Sequence, residues 1–409
     1  MTFEEALAIA AQGDHLSLDA SASLLAARGV NLRAMMKVAD QKRAEQVGDT
    51  VTYVINRNIN FTNVCIKRCH FCAFSNDLRT DSGYYLPLEE VVRRAKEARS
   101  MGATEVCIQA GLAPELNTSK YLKITETVKN AVPNLHLHAW SPEEIKHGAK
   151  QSRVSIRSFL TDLKAAGLDS LPGTSAEILD DRLRRRLAVG RITTAQWIDV
   201  IQTAHELDLP TTATMMFGHV ETALDQANHL LTLRRIQQQT GGFTEFVPLA
   251  FVHHQAPLFT SHSDVRAGPS SEERLAVYSA SRLILGDVIP NLQVSWVKEG
   301  MSMAAKVLQA GANDLGGTLI NESISTAAGS TYGQRQTPEA LAQVAQGIGR
   351  PFQQRSTLYQ PIADSSSGSW GADYGSLFEL RKDQRFAYRS AGRPSKSARV
   401  SMSQASPRR

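Results

Sequence analysis

Long apolar runs are absent from this chain of 409 residues. No segment approaches the ~18 consecutive apolar residues that a membrane-spanning helix needs. The first 14 residues are acidic and amphipathic, whereas a signal peptide begins with basic residues that an apolar core follows. We therefore expect neither a membrane-spanning segment nor a membrane partner.

Cysteine is scarce as well, with four residues in the whole chain. Three of them, Cys65, Cys69 and Cys72, are clustered, which is not the pattern of a disulfide framework. Exposed thiols of this kind need a reducing compartment. We therefore expect the protein to be cytoplasmic.

Residues 1–360 have no net charge. Residues 361–409 contain nine Lys and Arg and four Asp and Glu, so the net charge of +5 lies entirely in this tail. A basic tail is weak support for a nucleic-acid surface, and we expect no nucleic-acid partner.

The tail is rich in Ser, Gly, Pro and Arg and has no periodicity. We predict that it is disordered and dispensable, with at most one transient helix over residues 377–390.

The remaining chain alternates between two periodicities. Residues 1–50 are predicted to form three short helices, the first opening with a capping box from Thr2 to Glu5. From residue 51 onwards, strand-like and helix-like segments alternate, which argues for parallel strands with right-handed crossovers. The count fits an α/β fold, a (β/α)8 TIM-type barrel over residues 51–360 with an N-terminal helical segment. The predicted strands are 52–62, 105–111, 135–140, 168–179, 210–219, 244–252, 292–298 and 313–320.

The cysteine cluster follows the first predicted strand. Three and then two residues separate Cys65, Cys69 and Cys72. Three thiolates on one loop can hold three irons of a 4Fe-4S cube, whereas a cluster that only carries electrons is usually closed by four cysteines. The fourth iron is then open to another ligand. A structural zinc site with His70 as fourth ligand is the alternative.

This spacing, with the aromatic Phe71 before the last cysteine, resembles the signature of radical S-adenosylmethionine (SAM) enzymes. The resemblance implies a 4Fe-4S cluster on the three cysteines and SAM as second cofactor. It also implies that SAM contacts Phe71, the segment Gln109-Ala110-Gly111 and the turn that carries Glu177. The family tends to have a Gly-Gly pair after strand two, and Ala110 departs from that pattern. Glu177 could equally be a partner for a helix N-terminus.

Other predicted strand ends are also polar, and barrel active sites lie at the carboxyl ends of the strands. The polar residues at these strand ends are more numerous than folding of a barrel requires. They suit the binding of a polar, ring-shaped substrate. Cys107, inside the second strand, is expected to be a buried apolar residue instead. The candidate catalytic residues are His138, His219, Glu221, His253, Lys298, Asn321 and Glu322.

Longer stretches extend the resemblance over about residues 10–360. Examples are GTSAEILDDR, PTTATMMFGHVET and AGANDLGGTLINESIS, which are similar to the tyrosine-coupling subunit of the FO synthase family. That similarity implies transfer of the hydroxybenzyl part of L-tyrosine to 5-amino-6-(D-ribitylamino)uracil, in the biosynthesis of a deazaflavin coenzyme. It implies a reduced electron donor as a partner. With one cysteine triad in the chain, it also implies a sister radical SAM enzyme that closes the ring.

Two other functions stay open at this point. A radical SAM enzyme of the futalosine route to menaquinone would share the residues that flank the cysteines. A non-catalytic zinc or iron–sulfur binding protein would use the same cysteines without turnover.

Overall fold

The computed structural model describes residues 1–77, 82–363 and 383–388 of the chain. It begins with the three expected helices, α1 Phe3–Gln12, α2 Leu18–Leu25 and α3 Gly29–Val47. The predicted capping box is present: the Thr2 hydroxyl accepts from the Glu5 N–H, and the Glu5 carboxylate accepts from the Thr2 N–H at 2.9 Å. The α2 and α3 helices pack on later helices of the chain.

The strands of the barrel are short. They are β1 Val51–Val54, β2 Asn56–Ile59, β3 Glu105–Ile108, β4 His136–Ala139, β5 Thr211–Phe217, β6 Phe243–Ala250, β7 Asp314–Gly317 and β8 Phe352–Gln354. The β1 and β2 strands are separated by one residue and together form the first strand predicted from the sequence.

Parallel pairing closes these strands into a ring. β2 pairs with β3 and β3 with β4, and single bridges continue through Ser170 and Leu171 to β5. β5 pairs with β6, and bridges through Leu292 and Gln293 lead to β7, which pairs with β1. The ring has eight positions, which confirms the predicted (β/α)8 barrel.

Helices connect the strands and surround the ring. Several begin with the sequence signals expected of them, such as Pro142 at the first turn of α6, where Ser141 and Glu144 form a capping box. None of the helices formed by the described residues combines the length and apolar composition that crossing a bilayer needs. The helices are α4 Leu88–Ser100, α5 Thr118–Ala131, α6 Pro142–Ser152, α7 Ile156–Ala165, α8 Asp181–Leu187, α9 Thr194–Glu206, α10 Ala223–Thr240, α11 Pro257–Ser261, α12 Ser271–Leu285, α13 Trp296–Glu299, α14 Met301–Leu308, α15 Ile324–Ala327 and α16 Pro338–Gly347.

Two strand positions are shorter than predicted. The strand expected over residues 168–179 is reduced to Ser170 and Leu171, because the next residue, Pro172, has no N–H to donate to a ladder. The strand expected over 292–298 ends early, since α13 begins at Trp296. A short apolar run such as 292–297 fits a strand or a buried helical turn equally well.

The N-terminal end of the barrel is closed by residues 352–363. β8 pairs with β1, and the chain then crosses the barrel, with Arg355 and Thr357 facing its interior. The N–H of Ile362 donates to the carbonyl of Gln354 at 3.0 Å. The chain attached to the barrel therefore continues beyond residue 360, the boundary predicted from the sequence.

Six residues of the tail also pack on the barrel. Residues 383–388 contain a short 3-10 turn, and Ala387 forms an antiparallel bridge with Tyr84. The Tyr388 hydroxyl donates to Glu115 at 3.1 Å. At these residues the structure differs from the loosely attached tail expected from the sequence. The other tail positions, 364–382 and 389–409, lie outside the described residues, as does most of the predicted transient helix.

Candidate active site

The barrel encloses a cavity of about 420 Å³. We call its two ends the mouth, lined by the cysteine loop with Phe71, Glu177 and Arg191, and the floor, lined by Glu105, Glu245, Arg355 and Thr357. Along β3 the cavity extends from Glu105 to Gln109, four residues, or ~13 Å at ~3.3 Å per residue. A cavity of this size is typical of small-molecule sites.

Backbone hydrogen bonds hold the cysteine loop in place. The N–H of Cys65 donates to the carbonyl of Asn76 at 3.1 Å, and the N–H of Gly111 donates to that of Thr62 at 2.8 Å. A Cβ atom at Gly111 would lie 2.3 Å from the carbonyl oxygen of Val64. Glycine is therefore needed here for the chain after β3 to approach the loop.

The three clustered thiols share the mouth of the cavity. Burial raises the pKa of the Cys69 thiol to about 12, although the Arg191 guanidinium lowers it. Among the described residues, no three Cys, His, Asp or Glu side chains are grouped as ligands of a single ion. A 4Fe-4S cube does not require such a group, because each of three thiolates binds a different iron.

His70, the alternative zinc ligand, is directed elsewhere. Its Nδ1 lies 3.1 Å from the carbonyl oxygen of Arg186, and the residue does not line the cavity.

Arg191 organises the charged part of the mouth. Its guanidinium lies 5.6 Å from the centre of the Phe71 ring and donates to Glu177 at 2.7 Å and to Glu143 at 3.3 Å. Burial would raise the pKa of Glu143, but Arg191 and the N–H of Ile192 together lower it below its usual value. The second carboxylate oxygen of Glu177 is buried and accepts no hydrogen bond within the described parts of the chain, although it lies 3.9 Å from the guanidinium of Arg184.

The segment after β3 is held by a second buried carboxylate. Glu144 Oε1 accepts from the N–H of Ala110 at 3.1 Å, and its Oε2 accepts from the N–H and the hydroxyl of Ser141. Burial raises the pKa of Glu144 to about 7, against the lowering effect of these donors. Gln109 completes the segment, since its Oε1 accepts from Thr174 at 3.2 Å.

A polar row of three side chains crosses the cavity wall between mouth and floor. Asn58 in β2 is in register with Cys107 in β3, which is in register with His138 in β4, and all three line the cavity. Burial lowers the pKa of His138 to about 4, so its ring is neutral near pH 7. Its Nδ1 bonds to Ser170 at 2.7 Å. Its Nε2 and the Asn58 amide have no partner in the described chain, and both are open to a ligand.

Cys107 therefore differs from its predicted role. It was expected to be an apolar core residue, but its sulfur lines the cavity and accepts from Gln109 Nε2 at 3.3 Å. The alternation of the strand places it on the inner face together with Glu105 and Gln109.

At the floor Arg355 pairs with two carboxylates, while Glu105 accepts from the neutral side chains of Asn56 and Thr357. Arg355 donates to Asp314 at 2.9 Å and to Glu245 at 3.2 Å, and its guanidinium lies 3.8 Å from the centre of the Tyr359 ring. Burial raises the pKa of Glu245 to about 7, and Arg355 lowers it in opposition. This cluster closes the barrel from below.

Three of the seven predicted catalytic candidates line the cavity, namely His138, Lys298 and Glu322. The other four do not. His219 and Glu221 are buried next to each other, and Glu221 also binds Arg266 at 2.7 Å. These two residues bind each other and Arg266 in the loop after β5, and their role in catalysis stays a prediction.

His253 and Asn321 are also directed away from the cavity. His253 stacks on His254 with ring centres 4.1 Å apart, and Asn321 accepts from Arg57 at 2.8 Å. The backbone explains the case of Asn321, whose φ of 65° turns the chain after β7. Both residues follow a strand end without lining the cavity, and their role in catalysis stays a prediction.

Several lining residues were missed from the sequence. Asn58 had a signal, because Asn56, Asn58 and Asn60 alternate along one strand. Glu144 was assigned only to a helix start. Arg191 had no recognisable signal in the sequence, because it lies in a turn between α8 and α9.

The residues of the mouth fit the two cofactors implied by the sequence. Three thiols on one loop are the soft donors that an iron–sulfur cluster requires. The Glu177 oxygen that accepts no hydrogen bond is a buried acceptor that a ligand donor would satisfy.

Comparison with known proteins gives two family matches. Residues 59–232 match the radical SAM superfamily, and residues 240–367 match the CofH/MqnC C-terminal region. The 5-amino-6-(D-ribitylamino)uracil–L-tyrosine 4-hydroxyphenyl transferase of Methanopyrus kandleri is 47% identical over 328 residues, which cover 80% of this chain and 89% of that protein.

A longer relative is the FO synthase of Streptomyces avermitilis, 48% identical over 377 residues, or 92% of this chain and 44% of that protein. The chain thus spans less than half the length of this relative. Among solved structures, methylornithine synthase (PylB) has a TM-score of 0.66 at 17% identity, covering 85% of this chain and 96% of that one. The hydrogenase maturase HydG of Carboxydothermus hydrogenoformans has a TM-score of 0.65 at 15% identity, covering 87% and 79%. These two structures show a shared fold.

Proposed function

This chain belongs to the radical SAM superfamily and, within it, to the family of 5-amino-6-(D-ribitylamino)uracil–L-tyrosine 4-hydroxyphenyl transferases, and we propose that it catalyses the reaction named there. Tyrosine supplies a hydroxybenzyl group to C5 of the aminouracil, giving 5-amino-5-(4-hydroxybenzyl)-6-(D-ribitylimino)-5,6-dihydrouracil. The 47% identity over 89% of the Methanopyrus kandleri transferase carries this proposal. Membership of an enzyme superfamily sets aside the non-catalytic alternative.

The mouth of the cavity is the proposed cofactor site. Cys65, Cys69 and Cys72 would hold the 4Fe-4S cluster, and Phe71, the segment 109–111, Glu177 and Arg191 would surround SAM. When bound, these cofactors supply the hydrogen-atom abstraction that starts the reaction on tyrosine, and a reduced electron donor is needed as a partner. The protein orients the substrates and excludes water, because the site is enclosed by the barrel. Free cysteine thiols persist in a reducing compartment, and we propose the cytoplasm as the location of this protein.

The polar row is the proposed site for the aminouracil. Asn58 and His138 lie two strands apart, ~10 Å at ~4.8 Å per strand, which spans a heterocycle with its exocyclic groups. Both side chains are neutral, and each has hydrogen-bonding capacity open to a ligand. A neutral ring with several donors and acceptors is the kind of substrate that such a wall can bind.

Product analysis of the reconstituted enzyme tests the proposed function. With reductant, SAM, tyrosine and the aminouracil, mass spectrometry should detect the coupled dihydrouracil and 5′-deoxyadenosine. A parallel reaction with an aminofutalosine precursor should give no product. Turnover of that precursor instead of tyrosine would favour the menaquinone-pathway enzyme and contradict this proposal.

A second radical SAM enzyme is the proposed functional partner. The chain covers 44% of an FO synthase, so the longer relative has room for another domain of similar size. Coupling and ring closure are separate oxidative events, and this chain has one CxxxCxxC motif. Alone, it should therefore yield a non-fluorescent adduct, with deazaflavin fluorescence only after the ring-closing enzyme is added. Fluorescence from the single chain would contradict the division of labour.

A further inference from the structure

Lys298 is a cation of the cavity wall that the cofactor site does not use. It lies on α13, which follows the seventh strand position, and it lines the cavity. The side chain is partly exposed, and because it lines an enclosed cavity, its ammonium faces a confined space. Within the described residues this ammonium makes no hydrogen bond, and no carboxylate lies within 4 Å of it. An ammonium that lines a cavity without such a partner can pair with an anionic group of a ligand.

The other cations that line the cavity are already paired. Lys67 bonds to the carbonyl of Gly190 and lies 3.5 Å from Glu143. Arg191 is bound by Glu177 and Glu143, and Arg355 by Asp314 and Glu245. Lys298 therefore differs from all three in having its charge open to a ligand.

The carboxylates nearest to Lys298 have donors of their own. Glu322 accepts from the N–H groups of Ser325 at 2.7 Å and Thr326 at 3.4 Å. Glu299, on the same helix as Lys298, is paired with Arg274 from α12 through Oε2, while its Oε1 accepts no hydrogen bond within the described chain. Burial lowers the pKa of Lys298, while Glu322 and Glu299 raise it in opposition. A bound carboxylate would favour the charged ammonium further.

We propose that Lys298 binds the α-carboxylate of the tyrosine substrate. This inference rests on the proposed function, in which the aminouracil is neutral while tyrosine and SAM each carry a carboxylate. Of the four cations that line the cavity, Lys298 is the one without a carboxylate within 4 Å among the described residues. Arg191 lies beside Phe71 and influences Cys69, so it belongs to the SAM end of the cavity. Lys298, on the wall formed after the seventh strand position, remains for the amino-acid substrate.

The test compares tyrosine with tyramine, which is the same molecule without the carboxylate. Dissociation constants are measured by equilibrium dialysis on the reconstituted holoenzyme in the presence of SAM. The wild type should prefer tyrosine, and Lys298→Met should weaken tyrosine binding by about 10- to 100-fold, the range of a hydrogen bond to a charged group. Tyramine and SAM should bind as before. Lys306→Met, at an exposed lysine on α14, is the matched control and should change none of these constants.

Three outcomes would overturn the assignment. Lys298→Met could keep the full preference for tyrosine over tyramine, or lose SAM binding instead, which would assign the carboxylate to SAM. Lys298→Arg, which keeps the charge, could fail to retain the preference. A wild type that neither binds tyrosine nor forms the coupled product would contradict the proposed function itself. That result is distinct from an active wild type in which Lys298 makes no difference.

A pH titration of the wild type gives a measurement that does not depend on the Met variant. Tyrosine binding needs the protonated ammonium, so affinity should fall as pH rises through the lowered pKa of Lys298. Tyramine affinity should not show this step, and Lys298→Arg should shift it to higher pH, because guanidinium stays charged. Identical pH profiles for tyrosine and tyramine would contradict the assignment.

Discussion

The floor and the mouth of the cavity both contain buried charges, yet they differ in how those charges are paired. At the floor, Arg355 binds Asp314 and Glu245, and Tyr359 covers its guanidinium. At the mouth, Glu177 has one buried oxygen without a hydrogen-bond partner in the described chain. Paired charges close a structure, whereas an incompletely paired group is available for a ligand. The floor is therefore expected to contribute stability and the mouth chemistry.

Several residues that follow strand positions have a strained backbone, and so does Tyr359 at the floor, with a φ of 61°. Among the described non-glycine residues, positive φ angles occur after strand positions at Trp140 (65°), Ser175 (66°), Glu177 (41°), Leu319 (50°) and Asn321 (65°). Such conformations cost free energy and persist where the surrounding structure requires them. In Glu177 the turn brings the carboxylate to the cavity.

The largest expected effect is at the mouth. Replacing Cys65, Cys69 or Cys72 by Ala should each abolish SAM cleavage, because two thiolates cannot hold the cube. Cys107→Ala is the matched control and should leave the iron content unchanged, although its thiol also lines the cavity. Iron and sulfide content and the formation of 5′-deoxyadenosine are measured for the three cysteine variants and for the Cys107→Ala control. An active Cys69→Ala enzyme would disprove the cluster assignment.

At the floor, Arg355→Met should destabilise the protein by about 3–5 kcal/mol, since it leaves Asp314 and Glu245 as uncompensated buried charges. Denaturant unfolding measures the change. Arg157→Met is the control, because Arg157 and Glu206 form an ion pair in which both side chains are about half exposed. That variant should lose at most about 1 kcal/mol. Equal losses in the two variants would remove the distinction between floor and surface.

A smaller effect should separate ligand binding from stability at the mouth. Glu177→Gln removes the charge of a carboxylate that has one oxygen without a hydrogen bond in the described chain, and we expect the dissociation constant of SAM to rise about tenfold. The unfolding free energy should change little, since Arg191 keeps Glu143 as a partner. Equilibrium dialysis and denaturant unfolding are the measurements. Glu339→Gln, at an exposed position of α16, is the control. A large loss of stability with unchanged SAM binding would make Glu177 a structural residue.

The smallest effect is expected from the tail. Deleting residues 364–409 should preserve fold and turnover but cost about 1 kcal/mol, because the hydrogen bonds of Phe386 and Tyr388 to the segment 83–85 and of Tyr388 to Glu115 are lost. Deleting only residues 389–409 should cost nothing. The melting temperature and the turnover of the two truncated proteins are measured and compared. If the longer deletion loses its iron, residues 383–388 are needed to hold the cluster loop.

Much of the architecture follows from local sequence. The alternation of strand and helix periods predicted all eight ring positions, and the spacing of Cys65, Cys69 and Cys72 predicted the loop at the mouth. Caps such as the one at Thr2 are encoded within four residues. These features are local, so a single sequence contains the information that they need.

Only the tertiary structure decided which polar residues face the cavity. Within a strand, alternation fixes the inner face, as for Asn58 and Cys107. Beyond a strand end the direction of a side chain depends on the loop backbone and on partners distant in the chain. Asn321 is turned to Arg57, 264 residues away, while Lys298 is brought to the wall by a helical turn. Such long-range contacts have no signature in the local sequence, which is why some strand-end candidates line the cavity and others do not.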